Sequence, residues 1–428
     1  MDDEQARDLL LRVARGQEEM RCRLSRMLEL MLDALMGAEA DEACGAAYMT
    51  RGEGRVNRRN GYRERGVDTP LGTLTVHVPK LREGYYSPEG IIGRGRRVDA
   101  AVAAAVVEMW VQGVSTRRVE RVARELGVDR LGRSEVSRLA ERLDAQVDEF
   151  RSRPLSGRRY CYLWLDATFV RCRGDGGASS AAAVTAIACD DDGRKRVVGF
   201  DVFDTESYAG WKSFLSSLRA RGMDGVRLVV SDDHCGLRKA VAEEFQGASW
   251  QRCMVHMMRD VLGVVPRQRR PRAAALVRLP FAMGSRAAAD AAWTLAADEL
   301  ASTDPRAART FAAARDECLA YMAFPKDHWL RIRTNNVQER ENREIKRRTS
   351  SVGVFPSRDA LQRLVGAVLM EADEEWSTDR RIWSPENTSH AWDAPDTHTP
   401  TAAELAAARS QARAAFDALD TTTRQEQE

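Results

Sequence analysis

Asp166 interrupts an otherwise apolar run, Tyr160-Cys-Tyr-Leu-Trp-Leu-Asp-Ala-Thr-Phe-Val-Arg-Cys-Arg173. The run is rich in aromatic and branched residues and contains neither Pro nor Gly, so it reads as a strand. Tyr162, Trp164, Thr168 and Val170 fall on one face; Cys161, Leu163, Leu165, Ala167 and Phe169 fall on the other. Apolar on both sides, such a strand is central in its sheet. A carboxylate there is costly unless it is paired, hydrogen-bonded or bound to a cation. Two readings follow: a side chain bonded to a neighbouring loop, or a metal ligand. A second acidic signal closes the buried strand that begins at Gly225, where Asp232 and Asp233 stand side by side. A third lies in the helical stretch Asn335–Arg348, which carries Glu339, Glu341 and Glu344. Hard oxygen ligands without a His or Cys cage suit Mg²⁺ or Mn²⁺ rather than zinc. Two such ions about 3.5–4 Å apart would activate a water or a 3′-hydroxyl and stabilise the leaving oxygen of a phosphodiester. Arg331, Arg333, Arg340, Arg343, Lys346, Arg347 and Arg348 crowd the third signal, as a polyanionic substrate requires. The pattern does not separate Asp232 from Asp233, which would serve equally as a helix N-cap, nor Glu339 from Glu341 or Glu344.

The elements that must position these carboxylates follow in order. Ala181–Cys189 and Arg196–Val202 read as strands joined by the Asp190-Asp-Asp-Gly193 turn. Ser207–Arg221 is an amphipathic helix, Leu237–Phe245 another, and Trp250–His256 a short strand. The expected sheet has its first three strands antiparallel and the later ones joined by helical crossovers. Residues 257–331 turn Ala-rich and helical and read as an insertion. The helix carrying Glu339 has only Val337 and Ile345 as apolar residues. It is therefore either a solvated helix or one that faces a charged ligand. Leu361–Met370 and Trp376 form a closing amphipathic helix. Beyond Ser384, Pro, Thr, Asp and Ser dominate, giving a flexible tail (384–428) with a weak Ala-rich helix over Ala402–Leu419.

Ahead of the strands, residues 1 to about 40 are helical by the recurrence of Leu9, Leu10, Val13, Leu24, Met27, Leu28, Leu30, Met31 and Leu35. Such a segment is either a dimerisation helix or a packed one. Arg51–Gly66 is basic, Gly-broken and poor in apolar residues. It reads as a flexible loop whose Arg58, Arg59 and Arg63 neutralise phosphates, or as a solvated loop. Thr69–Lys80 alternates like a short hairpin or edge strand. Three helices follow: Val98–Trp110, one capped by Ser115 or Thr116 and ended by Gly127, and one capped by Ser134. The outline is that of a helix-turn-helix with Arg117, Arg118, Arg121, Arg133 and Arg138 exposed, although many three-helix units bind nothing. The expected organisation is 1–95 with the first helix and basic loop, 96–153 helix-turn-helix-like, 154–256 and 332–383 the two parts of an α/β core, and 257–331 its insertion.

The 428 residues suffice for several cores, and the formal net charge is only +2. Arg rather than Lys supplies nearly all of the 66 basic residues, which suits phosphate recognition and equally fits codon bias in a GC-rich genome. The eight Cys include no CxxC pair, as expected of reduced thiols in a cytoplasmic protein. The opening residues are acidic rather than signal-like. The longest apolar run, Ala100–Val107, is too short to span a bilayer.

Five stretches, in order from about residue 40 to Ser384, resemble the Mutator-type transposases of bacterial insertion sequences. They are Gly61-Tyr62 with Leu71-Gly-Thr-Leu74 and Val78-Pro-Lys80; Met109–Arg117; Trp164-Leu-Asp-Ala-Thr168; Ser231–Gly236 with Trp250–His256; and Arg333–Asn336 through Glu339–Thr349 with Val352–Pro356. The resemblance implies an RNase H-like fold, a mixed five-stranded sheet with flanking helices interrupted by an all-helical insertion. It implies an Asp-Asp-Glu triad, here Asp166, Asp232 and Glu339, holding two Mg²⁺ or Mn²⁺ ions, and Arg340, Arg343, Lys346 and Arg347 on the DNA side. Cys253 and His256 match a Cys-x-x-His element of the family and, with His234, are expected to support the site; two ligands make no structural zinc site. Two positions depart from the family: Asp233, where a small residue is usual, and Glu341, where an apolar one is usual. The implied activity is cleavage and strand transfer at terminal inverted repeats by a dimer or larger assembly on double-stranded DNA, associated with the bacterial nucleoid. A repeat-binding repressor without catalysis and a host nuclease of the same fold are the alternatives.

Overall fold

The computed structural model describes residues 3–46, 55–69, 72–86, 100–125, 133–174, 177–379, 381–393 and 399–425. The chain divides into two compact units, Met1–Arg142 and Leu143–Glu428.

The first unit opens on one continuous helix, α1 (Asp3–Cys44). Next comes an antiparallel hairpin, β1 (Arg59–Thr69) and β2 (Gly72–Leu81). Leu74, Val76 and Val78 of β2 are buried, and Met36 of α1 closes a small core over the last two. The outer edge of β2 is blunted by α1: Glu29 accepts from the Thr75 amide (2.7 Å), and Asp33 accepts from the His77 amide (2.7 Å). Residues 59–66 of the stretch expected to be a flexible basic loop thus belong to strand β1. Its Arg-rich sequence lacks apolar alternation, and β2 supplies the pairing that the pattern does not advertise. The strand starts through a bulge at Gly61, whose φ of +78° a side chain would strain. Leu24, Met27, Leu30, Met31 and Leu35 of α1 stand exposed. Helices α2 (Ala100–Val111), α3 (Thr116–Glu125) and α4 (Arg133–Ala140) complete the unit. Val106, Trp110, Val111, Val119, Val136, Leu139 and Ala140 are buried among their described side chains, and Gly113 (φ +81°) makes the turn between the first two. Arg51, Leu126 and Gly127, used in the sequence reading, lie outside the described residues.

The second unit begins with α5 (Asp144–Ser152), earlier than the boundary expected at residue 154. The reason is packing: Val147 lies against Gly366, and the Phe150 and Phe200 rings are 6.2 Å apart. Five strands form one mixed sheet, β3 (Tyr160–Gly174), β4 (Gly177–Asp190), β5 (Lys195–Phe203), β6 (Leu228–Ser231) and β7 (Ser249–Arg252), in the order β5-β4-β3-β6-β7. β3 pairs antiparallel with β4 and parallel with β6, so it is central, as its two apolar faces require. Helices α6 (Tyr208–Ala220) and α7 (Cys235–Glu244) bury Trp211, Phe214, Leu218, Leu237 and Val241 against Leu163 and Leu165 of β3. The opposite face, which carries Trp164 and Asp166, meets α14 (Asn336–Ser350); α15 (Arg358–Thr378) packs beside it on β5.

Between β7 and α14 lie α8 (Met254–Gly263), α9 (Arg270–Arg278), α10 (Arg286–Thr303), α11 (Pro305–Ala313), α12 (Arg315–Cys318) and α13 (Trp329–Ile332). They have their own core, with the Trp293 and Phe311 rings stacked 4.1 Å apart. In the tail after Ser384 the expected Ala-rich helix is present and runs on to Gln425, and residues 385–389, expected to be linker, are helical too. α16 (Pro385–Ser389) brings Asn387 within 2.9 Å of His328. α17 (Ala402–Gln425) lies on α10 and buries Ala408, Ala412 and Phe416. The Ala-rich face lets the two helices approach closely, which substitutes for the large apolar residues that the tail lacks. No described helix is long and apolar enough to cross a membrane.

Candidate active site

Strand register brings the two aspartates together. Trp164 of β3 is level with Val230 of β6 in the parallel pair. Two residues further along each chain stand Asp166 and, just past the end of β6, Asp232. Side chains alternate with period two, so both follow the face of Trp164 and Val230. Asp166 is half-buried, and Asp232 is exposed.

Asp166 is held at both oxygens. Oδ1 accepts from the Ala167 amide (2.9 Å) and Oδ2 from the Asn342 side-chain amide (2.6 Å). Burial pushes its carboxyl above the usual range; the charge on Asp232 adds to this, whereas His256, the Ala167 N–H and Lys346 oppose it. Asp232 Oδ1 accepts from the Asp233 amide (2.7 Å) and lies 3.8 Å from His256 Nδ1. The His256 imidazole is raised to about 9, with the Cys253 sulfur the largest cause and Asp232 and Asp166 contributing.

Asp233 is taken up elsewhere. Its Oδ2 lies 2.9 Å from the buried Arg252, which also binds Asp260 (2.7 Å), and its Oδ1 lies 3.4 Å from Arg238. Nor is it the helix cap: His234 is, its Nδ1 accepting from the Leu237 amide of α7 (3.2 Å). Cys253 is buried where three segments meet. Its amide donates to Ser231 (2.8 Å), its sulfur accepts from the Asn335 amide (3.3 Å), and the next residue donates to Arg333 (3.0 Å).

Helix α14 is neither solvated nor apolar on its inner face. Asn335 Nδ2 donates to the Leu165 carbonyl (2.9 Å), and Gln338 Nε2 donates to Trp164 (2.8 Å) and Thr185 (3.3 Å). Asn342, one turn on, reaches Asp166. These amides at i, i+3 and i+7 anchor the helix to β3. Sequence reasoning grouped Asn342 with Glu339, Arg343 and Lys346 and passed over Asn335 and Gln338, although the spacing Asn335, Gln338, Asn342, Ile345, Thr349 was a readable stripe.

The three glutamates of α14 differ. Glu339 is exposed on the first turn, three residues before Asn342. Glu341 is buried, with Oε2 unbonded and its carboxyl raised by burial. Glu344 is committed to Arg347 (2.6 Å) and Arg348 (2.7 Å). Among the described residues, no group of three or more His, Cys, Asp and Glu side chains is gathered closely enough to hold an ion. The pair of Asp166 and Asp232 fits a divalent cation, since a carboxylate raised by burial beside a like charge is stabilised by one.

The cations also divide. Lys346 is exposed, and its charge is felt at Asp166. Arg343 bonds the Glu339 carbonyl (3.3 Å), Arg340 pairs with Glu375 (3.2 Å), and Arg347 pairs with Glu344. In the first unit Arg58, Arg117, Arg118 and Arg138 are exposed. Arg63 bonds the Tyr86 carbonyl (3.3 Å) and lies over the Tyr85 ring. Arg59 is tied to Asp41 (2.6 Å) and the Gly37 carbonyl, which commits it to the hairpin–helix contact.

Comparison with known proteins bears on the whole of this arrangement. The family described as transposase, Mutator family, matches residues 3–379. The chain belongs to the Mutator family of transposases. It is 40% identical over 358 residues to the transposase for insertion sequence element IS1081 of Mycobacterium tuberculosis, covering 84% of this chain and 86% of that one. It is 35% identical to the ISRM5 transposase of Rhizobium meliloti over 82% of this chain and 88% of the relative. To the IS256 transposase of transposon Tn4001 in Staphylococcus aureus it is 33% identical, over 82% and 90%. The family match thus includes both aspartates, the insertion and α14, whereas α16 and α17 lie beyond it.

Proposed function

We propose that this chain binds the terminal inverted repeats of its insertion sequence, cuts a strand at each end and joins the freed 3′-hydroxyl to a second phosphodiester. The observation that carries this reading is the parallel register of β3 and β6, which carries Asp166, midway along β3, and Asp232, just past the end of β6, to the same level on one face of the sheet. In this reading the mixed sheet is an RNase H-like core. Asp166, Asp232 and Glu339 would hold Mg²⁺ or Mn²⁺, which would supply Lewis-acid stabilisation and a nucleophile of lowered pKa. The chain's own residues orient the site. Asn335 and Gln338 fix α14 on β3, Arg252 pairs with Asp233 and leaves Asp232 apart from it, and His256 Nδ1 lies 3.8 Å from Asp232. Lys346 and Arg343 would receive the DNA backbone beside the carboxylates. Helices α2 to α4, with Arg117, Arg118 and Arg138 exposed, are the repeat-binding element. Two ends must be held together, so we assign the exposed apolar stripe of α1 to pairing with a second copy.

The test uses duplexes carrying the element's ends with Mg²⁺ or Mn²⁺. Wild type should cleave and join; Asp166→Asn, Asp232→Asn and Glu339→Gln should bind the ends without cutting. Binding without cleavage in the wild type would favour a repressor. Cleavage that survives Glu339→Gln but not Glu344→Gln would move the third carboxylate to Glu344.

A further inference from the structure

We infer that Asn342 is a positioning residue that orients the Asp166 carboxylate for its cation and ties it to the helix bearing Glu339. The inference rests on the reading of Asp166 as a ligand. A carboxylate on a strand turns about its last bond unless both oxygens are engaged, and here the second engagement is the Asn342 amide at 2.6 Å. The Ala167 amide holds the other oxygen, so the lone pairs left for a cation point in a fixed direction. Asn342 is only 8% exposed, and α14 cannot slide because Asn335 and Gln338 grip backbone carbonyls of β3 and β4. Residues three apart on a helix are neighbours, with Cβ atoms about 5–6 Å apart. The contact that orients Asp166 therefore also sets where Glu339 stands relative to it.

A purely structural role, in which the amide merely satisfies a half-buried carboxylate, would affect folding and leave metal affinity alone. The distinguishing experiment measures Mn²⁺ bound to the full-length protein assembled on an uncut end duplex, by electron paramagnetic resonance. The specific fraction is what Asp166→Asn loses. Asn342→Leu keeps the branching at Cγ and removes the donor. It should weaken specific Mn²⁺ binding by about 10-fold or more, the usual effect of losing a partner that orients a ligand. The Mg²⁺ midpoint for cleavage should rise in parallel, with much of the rate recovered at saturating metal. Asn342→His restores an N–H at a similar reach and should return the midpoint towards wild type. If Asn342→Leu does not fold, Asn342→Ala takes its place. Wild-type Mn²⁺ affinity in a folded donorless variant would overturn the inference while leaving the ligand reading of Asp166 intact. Wild-type Mn²⁺ binding by Asp166→Asn would overturn that reading, and the inference with it.

Discussion

Two glutamates of α14 show how neighbours decide what a carboxylate does. Glu344 is depressed to about 2, first by the bond from Arg347 and then by Arg348. A carboxyl lowered on folding stabilises the fold above its unfolded value of about 4.3, and that stability is lost as pH falls through the folded value. With its side chain about one-third exposed, the contribution is discounted to about 1 kcal/mol. Glu344→Gln should therefore lose about 1 kcal/mol at pH 7 in urea unfolding, with a flatter acid limb between about pH 4 and 2. It should still cut element ends; loss of cutting would mean that Glu344 has a place in the site. Glu341 has the opposite sign. Burial raises its carboxyl, so the fold is destabilised as pH rises from the unfolded value through the folded one. Glu341→Met, which places an apolar side chain in the buried position, should stabilise the protein by about 1–3 kcal/mol at neutral pH, the scale of an unsatisfied buried polar group. Unchanged unfolding midpoints across pH would show that the buried oxygen has found a partner.

Elements were legible where burial is apolar and hidden where it is polar. The β3 run, the antiparallel order of the first three strands and the helical insertion could be read because Val, Ile, Leu and aromatic residues advertise them. Asp166 could be singled out because it breaks such a run. Strand β1 could not, since its buried-face positions include Arg63 and Arg65 opposite Val78 and Val76. The inner face of α14 was hidden for the same reason: amides bond to carbonyls there, and no hydrophobic periodicity records that. The pairing of Asp233 with Arg252 was likewise hidden, because the partner stands on a different strand, 19 positions away. The polar inner face makes its own prediction. Gln338 is buried and donates to two strand carbonyls. Gln338→Leu should cost about 1–3 kcal/mol through the polar atoms left unpaired, with hydrogen exchange accelerating first in α14. Slower exchange there would mean that packing, rather than the amide bonds, holds the helix on the sheet.

At the scale of the whole chain, the family match ends at residue 379, and two helices follow. Composition made the start of this segment look like a linker, because Pro, Thr and Asp dominate it, and showed the Ala-rich helix after it without showing what that helix packs on. Ala408, Ala412 and Phe416 nevertheless recur every four residues, one face of a helix, and that face is buried on α10. Arg272 of α9 reaches the Phe416 ring at 5.8 Å, so α17 touches two helices of the insertion. An insertion that interrupts the sheet between β7 and α14 has to hold its shape if α14 is to stay registered on β3, and α17 supplies part of that support from outside the family's region. Removing residues 400–428 should uncover the Ala-lined face of α10 and accelerate amide exchange in α9 and α10, while α2 to α4 keep their protection and end binding survives. Phe416→Ala should reproduce part of the effect, at a cost of about 3 kcal/mol. Unaltered exchange in α10 after truncation would show that the insertion stands without α17; loss of cleavage with end binding intact would show that its rigidity reaches the carboxylates.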